Sequence, residues 1–299
     1  AEDNFRIIAH NVCSSEGVSK GSLRSIDSLS RVINKLIDQT VESFNLTFDL
    51  VRVNISDTHL TCTDGKGKVS VDEAVTLQDL NSVLESAMAM STPTNKQKLH
   101  RIKKKFTINE TVIVDNPMGM EAEVLESKVH IVTVSSSSVR NIESCIKQCD
   151  LQLDKIVLNP LASSQALLSQ EDRDSGICLV DIGAGVTSYS VFNEEGIVRS
   201  GIIPMGGDEV TQDIADAFDA SLEEAKRLKE SYGVAKSSSL NEDDFINFVQ
   251  PANNDEHQLS SLELSEVIER SYREIFTLLK NELKHHNLDG IIKSGFVLC

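Results

Sequence analysis

The sequence predicts a mixed α/β chain of two lobes, with a small α+β subdomain inserted in the first. Three observations lead there. Strand-length apolar runs alternate with helical patterns in both halves. The glycine-rich turn from Asp181 to Thr187 lies between two strands instead of opening a helix. From Val69 onward the texture shifts to short strands around one helix. At 299 residues and 40% hydrophobic content the chain also exceeds what one core holds, so two or more subdomains are expected.

Phe5 to His10 (FRIIAH) reads as a short strand, and from Ser25 to Phe44 the residues Ile26, Leu29, Ile33, Leu36, Ile37 and Val41 recur at helical spacing. Leu50 to Ile55 alternates as a half-buried strand, and His59 to Cys62 leads into a glycine-rich turn at Asp64 to Gly67 that marks a subdomain boundary. Thr76 precedes a helix through Leu80, Val83 and Ala87; Ser91 to Asn95 breaks it, and short strands follow at Phe106, Val112 and Val129. Ser138 to Gln148 reads as a helix, and Lys155 to Leu158 as a strand before Asn159-Pro160. Strands at Ile177 to Val180 and Thr187 to Phe192 flank the glycines, and Ile197 to Pro204 is another. Helices follow at Glu209 to Phe218 and Ser221 to Tyr232, then a polar stretch to His257, a long helix from Ser261 to about Asn287 and a last strand from Gly295 to Cys299.

A formal net charge of −17 repels a nucleic-acid backbone, so nucleic acid is not expected as a partner. One basic island, Lys103 to Lys105 with Arg101 and Lys96 nearby, reads as a solvated loop, with an acidic partner or anionic lipid as the alternative. Six cysteines without CxxC spacing suit reduced core thiols and imply neither a disulfide framework nor a zinc site. No apolar run reaches eighteen residues, so any membrane contact is expected to be peripheral or supplied elsewhere. Ser163-Ser164 and Ser135 to Ser138 lack a GxSxG elbow and read as turn and cap residues; His285-His286 read as a helix C-terminal cap.

Neither GxxxxGK[ST] nor GxGxxG occurs near Gly183, which sets aside the P-loop and Rossmann turns. What stands there is an acidic residue ending a strand, Asp181, followed by Gly183, Ala184, Gly185, Val186 and Thr187. Glycines let backbone amides approach an anion, and such a hairpin grips phosphate from one side. Asp181 would repel that phosphate unless a divalent cation lay between them, which makes Mg2+, directly or through water, the natural mediator. The alternative is an ordinary tight hairpin with a capping aspartate.

This segment resembles the second phosphate motif, strand, D-x-G-x-G-x-T, strand, of the actin, heat-shock chaperone and hexokinase superfamily. Gly206-Gly207-Asp208-Glu209 is similar to that superfamily's next element. Glu223 to Gly233 resembles its adenosine-side helix, with Lys226 and Lys229 as candidates or, alternatively, as solvated lysines. Within the superfamily the chain resembles the FtsA family, through SKGSLRSIDSL, DNPMGM, HIVTVSSSSVRNIESCI, LNPLASSQALLS, CLVDIGAGVTSYSVF and IIPMGGDEVTQDIADAF. The resemblance implies an actin-like ATPase fold with two lobes of ribonuclease-H-like mixed sheets and flanking helices. Its division would be 1–68 and 155–180 for the first lobe, 69–154 for the inserted subdomain, 181–210 for the phosphate-binding base, 211–291 for the outer part of the second lobe and 292–299 for a return strand.

The same resemblance implies ATP and Mg2+ as cofactors, filament formation through the inserted subdomain, other division proteins as partners, and tethering of FtsZ filaments to the cytoplasmic membrane at the division site. The FtsZ C-terminal tail would meet the outer second lobe, where Arg270, Tyr272, Arg273 and Lys280 are candidates beside the plainer reading of a solvated face. Fast relatives place a glutamate just before the proline of an NEP-type strand end; Asn159 stands there, so slow or no hydrolysis is expected and no catalytic residue is assigned. Against the family pattern, the first phosphate hairpin would precede residue 1, while the glycine-rich adenosine loop and the C-terminal amphipathic membrane helix would follow Cys299. The type IV pilus protein PilM, which grips a short peptide, is the alternative family. A sugar or acid kinase is the enzyme alternative, for which no catalytic carboxylate stands out.

Overall fold

The computed structural model describes residues 6–240, 243–250 and 256–299. The chain opens with β1 (Val18–Ser19), β2 (Ser22–Leu23), α1 (Ile26–Phe44) and β3 (Leu50–Ile55). A block of β4 (Thr61–Ser70), α2 (Leu77–Met88), β5 (Lys96–Ile108), β6 (Val112–Val114) and β7 (Val124–Ser135) follows. Next come α3 (Ser136–Gln148), β8 (Gln152–Leu158), α4 (Asn159–Leu167) and α5 (Gln170–Asp174). Then β9 (Ile177–Ile182), β10 (Thr187–Asn193), β11 (Gly196–Ile203), α6 (Gly207–Phe218) and α7 (Leu222–Tyr232) lead to β12 (Phe245–Val249), β13 (Glu256–Ser260), α8 (Ser261–His285) and β14 (Phe296–Leu298).

Helix boundaries follow local chemistry. Ser25 accepts the Ser28 amide at the start of α1, and Asn45 ends it in the left-handed conformation that asparagine tolerates. Thr76 and Asp79 form a reciprocal capping box on α2. β3 and β8 pair in parallel across the intervening block, and α1 packs on α3 where Ser30 meets Cys145 and Cys149.

The block folds as an antiparallel sheet in the order β4-β7-β5-β6, covered on one face by α2. The expected turn at Asp64 to Gly67 is instead the middle of β4. Its glycines serve packing rather than turning. A Cβ on Gly65 would lie 1.8 Å from the Ala87 carbonyl oxygen, and one on Gly67 would lie 2.0 Å from that of Val83, so α2 rests directly on the strand backbone. Gly65→Ala is expected to push α2 outward and lower stability by about 1–3 kcal/mol. A thermal melt of the variant beside the wild type checks this.

The basic island is not a solvated loop either, because Lys103, Lys104 and Lys105 lie within β5. Lys104 is 5% exposed and its Nζ sits 2.5 Å from Asp64 Oδ2, while His130 Nδ1 lies 3.0 Å from Asp64 Oδ1. Residues 6–10 form no strand: Ile7 and Ile8 are largely exposed, with no strand beside them among the described residues; Phe5 lies outside those residues.

In the second half, β11-β10-β9-β14 form one sheet, with β14 parallel to β9 and the other pairs antiparallel. Cys178, Val180, Tyr189 and Val191 on one face pack under Leu279 and Leu283 of α8. A second core joins α6, α7 and α8 through Ile214, Leu228, Leu264 and Ile268, closed by Ile246, Phe248 and Leu259. The last three come from a hairpin, β12 with β13, inside the stretch that reads as merely polar in sequence.

Candidate phosphate-binding site

Thr187 pairs with Ile182 and Ser188 with Asp181, and the Gly183 amide donates to the Val186 carbonyl at 3.0 Å to close the turn. The carbonyls at the tip are also taken: Gly207 N–H donates to Gly183 O at 2.9 Å and Asp208 N–H to Ala184 O at 2.7 Å, so the first turn of α6 is stitched to the hairpin. A Cβ on Gly206 would lie 2.4 Å from Gly183 O and 2.6 Å from Ala184 O, which explains a glycine at the junction. Buried Thr187 ties the hairpin to the same segment by donating from Oγ1 to Met205 O at 2.8 Å. Among the described residues the amides of Ala184, Gly185 and Val186 have no hydrogen-bond partner. Three consecutive unpaired donors at a turn tip are the kind of group an anion-binding nest is built from.

Asp181, half-buried at the end of β9, is oriented by side chains of α4. Its Oδ2 accepts from Asn159 Nδ2 at 2.8 Å and from Ser163 Oγ at 3.0 Å, both on the first turns of α4. Oδ1 has no protein donor among the described residues. Asn159 therefore faces the carboxylate with its NH2 end, and its oxygen lies toward Asn54 Nδ2 at 3.5 Å. No group of three or more His, Cys, Asp or Glu side chains gathers into a metal cage among the described residues. One available carboxylate oxygen fits a cation that takes its other ligands from phosphate and water, as Mg2+ does.

Two side chains from other elements join the hairpin. Glu209 accepts the Gly206 amide at 2.9 Å and pairs with Lys20 Nζ at 2.5 Å. Burial alone would raise its pKa, but Lys20 and the Gly206 amide outweigh burial and hold it below the usual glutamate value. Lys229 donates to Gly207 O and Thr211 Oγ1, each at 2.7 Å, and burial pulls its pKa down against the neighbouring Asp208 and Glu230. Of the two lysines singled out on α7, Lys229 reaches the start of α6, whereas Lys226 is exposed and 3.8 Å from Glu230. Arg270, Arg273 and Lys280 are exposed on α8, with Arg273 paired to Glu269 at 2.6 Å. Tyr272 packs inward against the α6–α8 core, away from them.

Sequence reasoning missed Lys20 and Ser163. Lys20 and Gly21 are the two central residues of the β1–β2 hairpin, both at positive φ, the geometry of a type I′ turn. A Cβ on Gly185 would lie 3.0 Å from the Lys20 amide nitrogen, so this turn sits on the Asp181–Thr187 hairpin. The Lys-Gly pair was the available sign of the turn, and the one-turn spacing from Asn159 was that of Ser163.

Residues 178–295 match the family model "Cell division protein FtsA", and residues 57–133 match "SHS2 domain inserted in FTSA". The chain is 31% identical over 299 residues to the cell division protein FtsA of Pseudomonas aeruginosa, covering 100% of this chain and 72% of that protein. It is 28% identical over 302 residues to its Escherichia coli K12 counterpart, covering 97% and 72%. Among solved structures, the PilM-PilN type IV pilus biogenesis complex aligns over 97% of this chain and 73% of that one, with a TM-score of 0.60 at 14% identity. That likeness speaks to fold, and the shared fold is the actin-like ATPase fold expected from the sequence.

Proposed function

Since the chain belongs to the FtsA family of cell-division proteins, we propose that it binds ATP with Mg2+ between its lobes and uses the nucleotide to stabilise an assembling state rather than to drive turnover. The observation that carries this reading is the row of three free amides at Ala184, Gly185 and Val186, beside a carboxylate that two side chains of α4 hold in place. Those amides would donate to phosphate oxygens. Asp181 would hold Mg2+, which supplies charge neutralisation between the carboxylate and the phosphates. Gly206 and Gly207 keep the start of α6 against the hairpin, and Lys229 fixes the carbonyl of Gly207 from behind.

Asn159 occupies the place from which a base would act on water. Its nitrogen is engaged by Asp181, and an amide takes up no proton at neutral pH, so hydrolysis is slow or absent. A ligand that touches both lobes and is rarely consumed stabilises their closed arrangement by mass action.

In the wider reading the protein assembles with copies of itself through the inserted subdomain. It joins FtsZ filaments, through their C-terminal tail, to the inner face of the cytoplasmic membrane at the septum. The exposed cations Arg270, Arg273 and Lys280 are candidates for that tail. Membrane association in this reading is peripheral; no helix among the described residues is long and apolar enough to cross a membrane.

Calorimetry with ATP-Mg tests the nucleotide reading. Asp181→Ala is expected to weaken ATP-Mg binding by about ten- to a hundredfold, the loss of one charged ligand. With Mg2+ chelated, the two proteins should differ little. Equal affinity in the presence of Mg2+ would overturn the reading.

A further inference from the structure

We propose that Lys20 is a phosphate-contacting residue, held on Glu209 before nucleotide arrives and passed to a phosphate oxygen when it binds. The inference rests on the nucleotide reading above and adds a residue from the β1–β2 turn to the site. The Lys20 backbone lies against Gly185, where a Cβ would come within 3.0 Å of its nitrogen and 3.1 Å of its Cα. An anion seated on the amides of Ala184, Gly185 and Val186 is therefore within reach of a lysine side chain that starts from that backbone.

The hairpin is ringed by Asp181, Asp208 and Glu209, and a Cβ on Gly185 would lie 3.7 Å from Asp208 Oδ2. A polyphosphate brought there meets carboxylates on several sides, and Mg2+ on Asp181 offsets only part of that repulsion. Lys229 is occupied by Gly207 O and Thr211 Oγ1. Lys20 is the cation at the tip that can change partner: its side chain is 54% exposed, so leaving Glu209 requires no repacking.

The carboxylate left behind stays satisfied. Glu209 Oε2 continues to accept the Gly206 amide at 2.9 Å, and the positive end of α6 favours a negative charge at that turn. Exchange thus replaces one charge-assisted contact with another, and ties the β1–β2 turn to α6 through the ligand.

A permanent Lys20–Glu209 latch is the competing account, and the two differ in sign. Glu209→Gln keeps an acceptor for the Gly206 amide but loosens the hold on Lys20. If Lys20 is a phosphate ligand, Glu209→Gln binds ATP-Mg a few-fold more tightly than wild type, while Lys20→Gln binds about tenfold or more weakly. Lys20→Arg recovers most of that loss. Calorimetry with ATP-Mg and with inorganic pyrophosphate reads these affinities, and far-ultraviolet circular dichroism melts establish that each variant is folded. Lys20→Gln within twofold of wild type, or equal weakening by Lys20→Gln and Glu209→Gln, overturns the proposal. If Asp181→Ala weakens binding while Lys20→Gln does not, the nucleotide reading stands and the Lys20 role falls. A wild type that binds neither ligand overturns both.

Discussion

Gly206→Ala is expected to cost about a hundredfold or more in ATP-Mg affinity, roughly 2.7 kcal/mol, while leaving the protein folded. The backbone at Gly206 is extended, with φ −162° and ψ −155°, so conformation is no obstacle to alanine. Space is the obstacle. The added Cβ would stand 2.4 Å from Gly183 O, 2.6 Å from Ala184 O and 2.9 Å from Ala184 C, all of them backbone atoms of the hairpin tip. Relief requires the tip to lift from α6, which breaks the bonds from the amides of Gly207 and Asp208 to those two carbonyls. Overpacking costs about 1–3 kcal/mol and each lost hydrogen bond about 1 kcal/mol, and the three free amides lose their common aim. Gly183→Ala is the control, since its Cβ meets only Val186 O, at 3.2 Å. Calorimetry on the two variants should separate them by more than tenfold; similar affinities would mean that the tip does not bind the phosphates.

Asp64→Ala is expected to be the most destabilising single change outside that site. Removing Asp64 strands the ammonium of Lys104, which is 5% exposed, and leaving a buried charge without its partner costs up to about 3–5 kcal/mol. Urea unfolding measures it. Replacing Lys104 and Asp64 together by methionine and leucine should cost much less, because no buried charge is then left alone.

The same cluster gives stability a pH dependence of definite sign. Burial lowers the pKa of His130 below its ordinary 6.5, and the attraction of Asp64 only partly offsets this, so the native ring stays neutral. His100 is lowered chiefly by burial as well, and its Nε2 accepts the Leu158 amide at 3.0 Å, which needs an unprotonated nitrogen. Below pH 6.5 the unfolded chain takes up protons that the native state refuses, so stability falls as pH drops through that value. Burial would raise the pKa of Asp64, but the hydrogen bonds from His130 and Lys104 prevail and lower it; its contribution is complete above pH 3.8 and is lost below. Urea midpoints that stayed level between pH 7 and pH 5 would contradict the histidine part.

Where local chemistry decides an element, the sequence was a good guide. Apolar periodicity from Ser25 marks α1, Thr76 marks the start of α2, and the strands around Gly183 are read from apolar runs and glycines alone. Where a distant partner decides, it misled. Asp64 to Gly67 looks like a turn until α2 is seen lying on Gly65 and Gly67, and Lys104 looks solvated until Asp64, on a different strand, is found beside it. Asp181 was legible as the acidic end of a strand; that Asn159 and Ser163 aim it was not, because their approach depends on how α4 meets β9. Lys20 escaped for the same reason: its turn motif is local, but its seat on Gly185 is tertiary.

The parallel seam between β9 and β14 sets an order on how the protein comes to be folded. Val180 and Leu298 are register partners although they stand well over a hundred residues apart in the chain. During synthesis the sheet of β4, β7, β5 and β6 can close as soon as its own strands have emerged, whereas β9 keeps an open edge until the segment around Leu298 arrives. Such distant pairing is slow to form, so β9 and the glycine turn that follows it spend the interval as an unprotected strand margin. Nascent chains arrested before Phe296 should therefore depend more on chaperones than chains released after it.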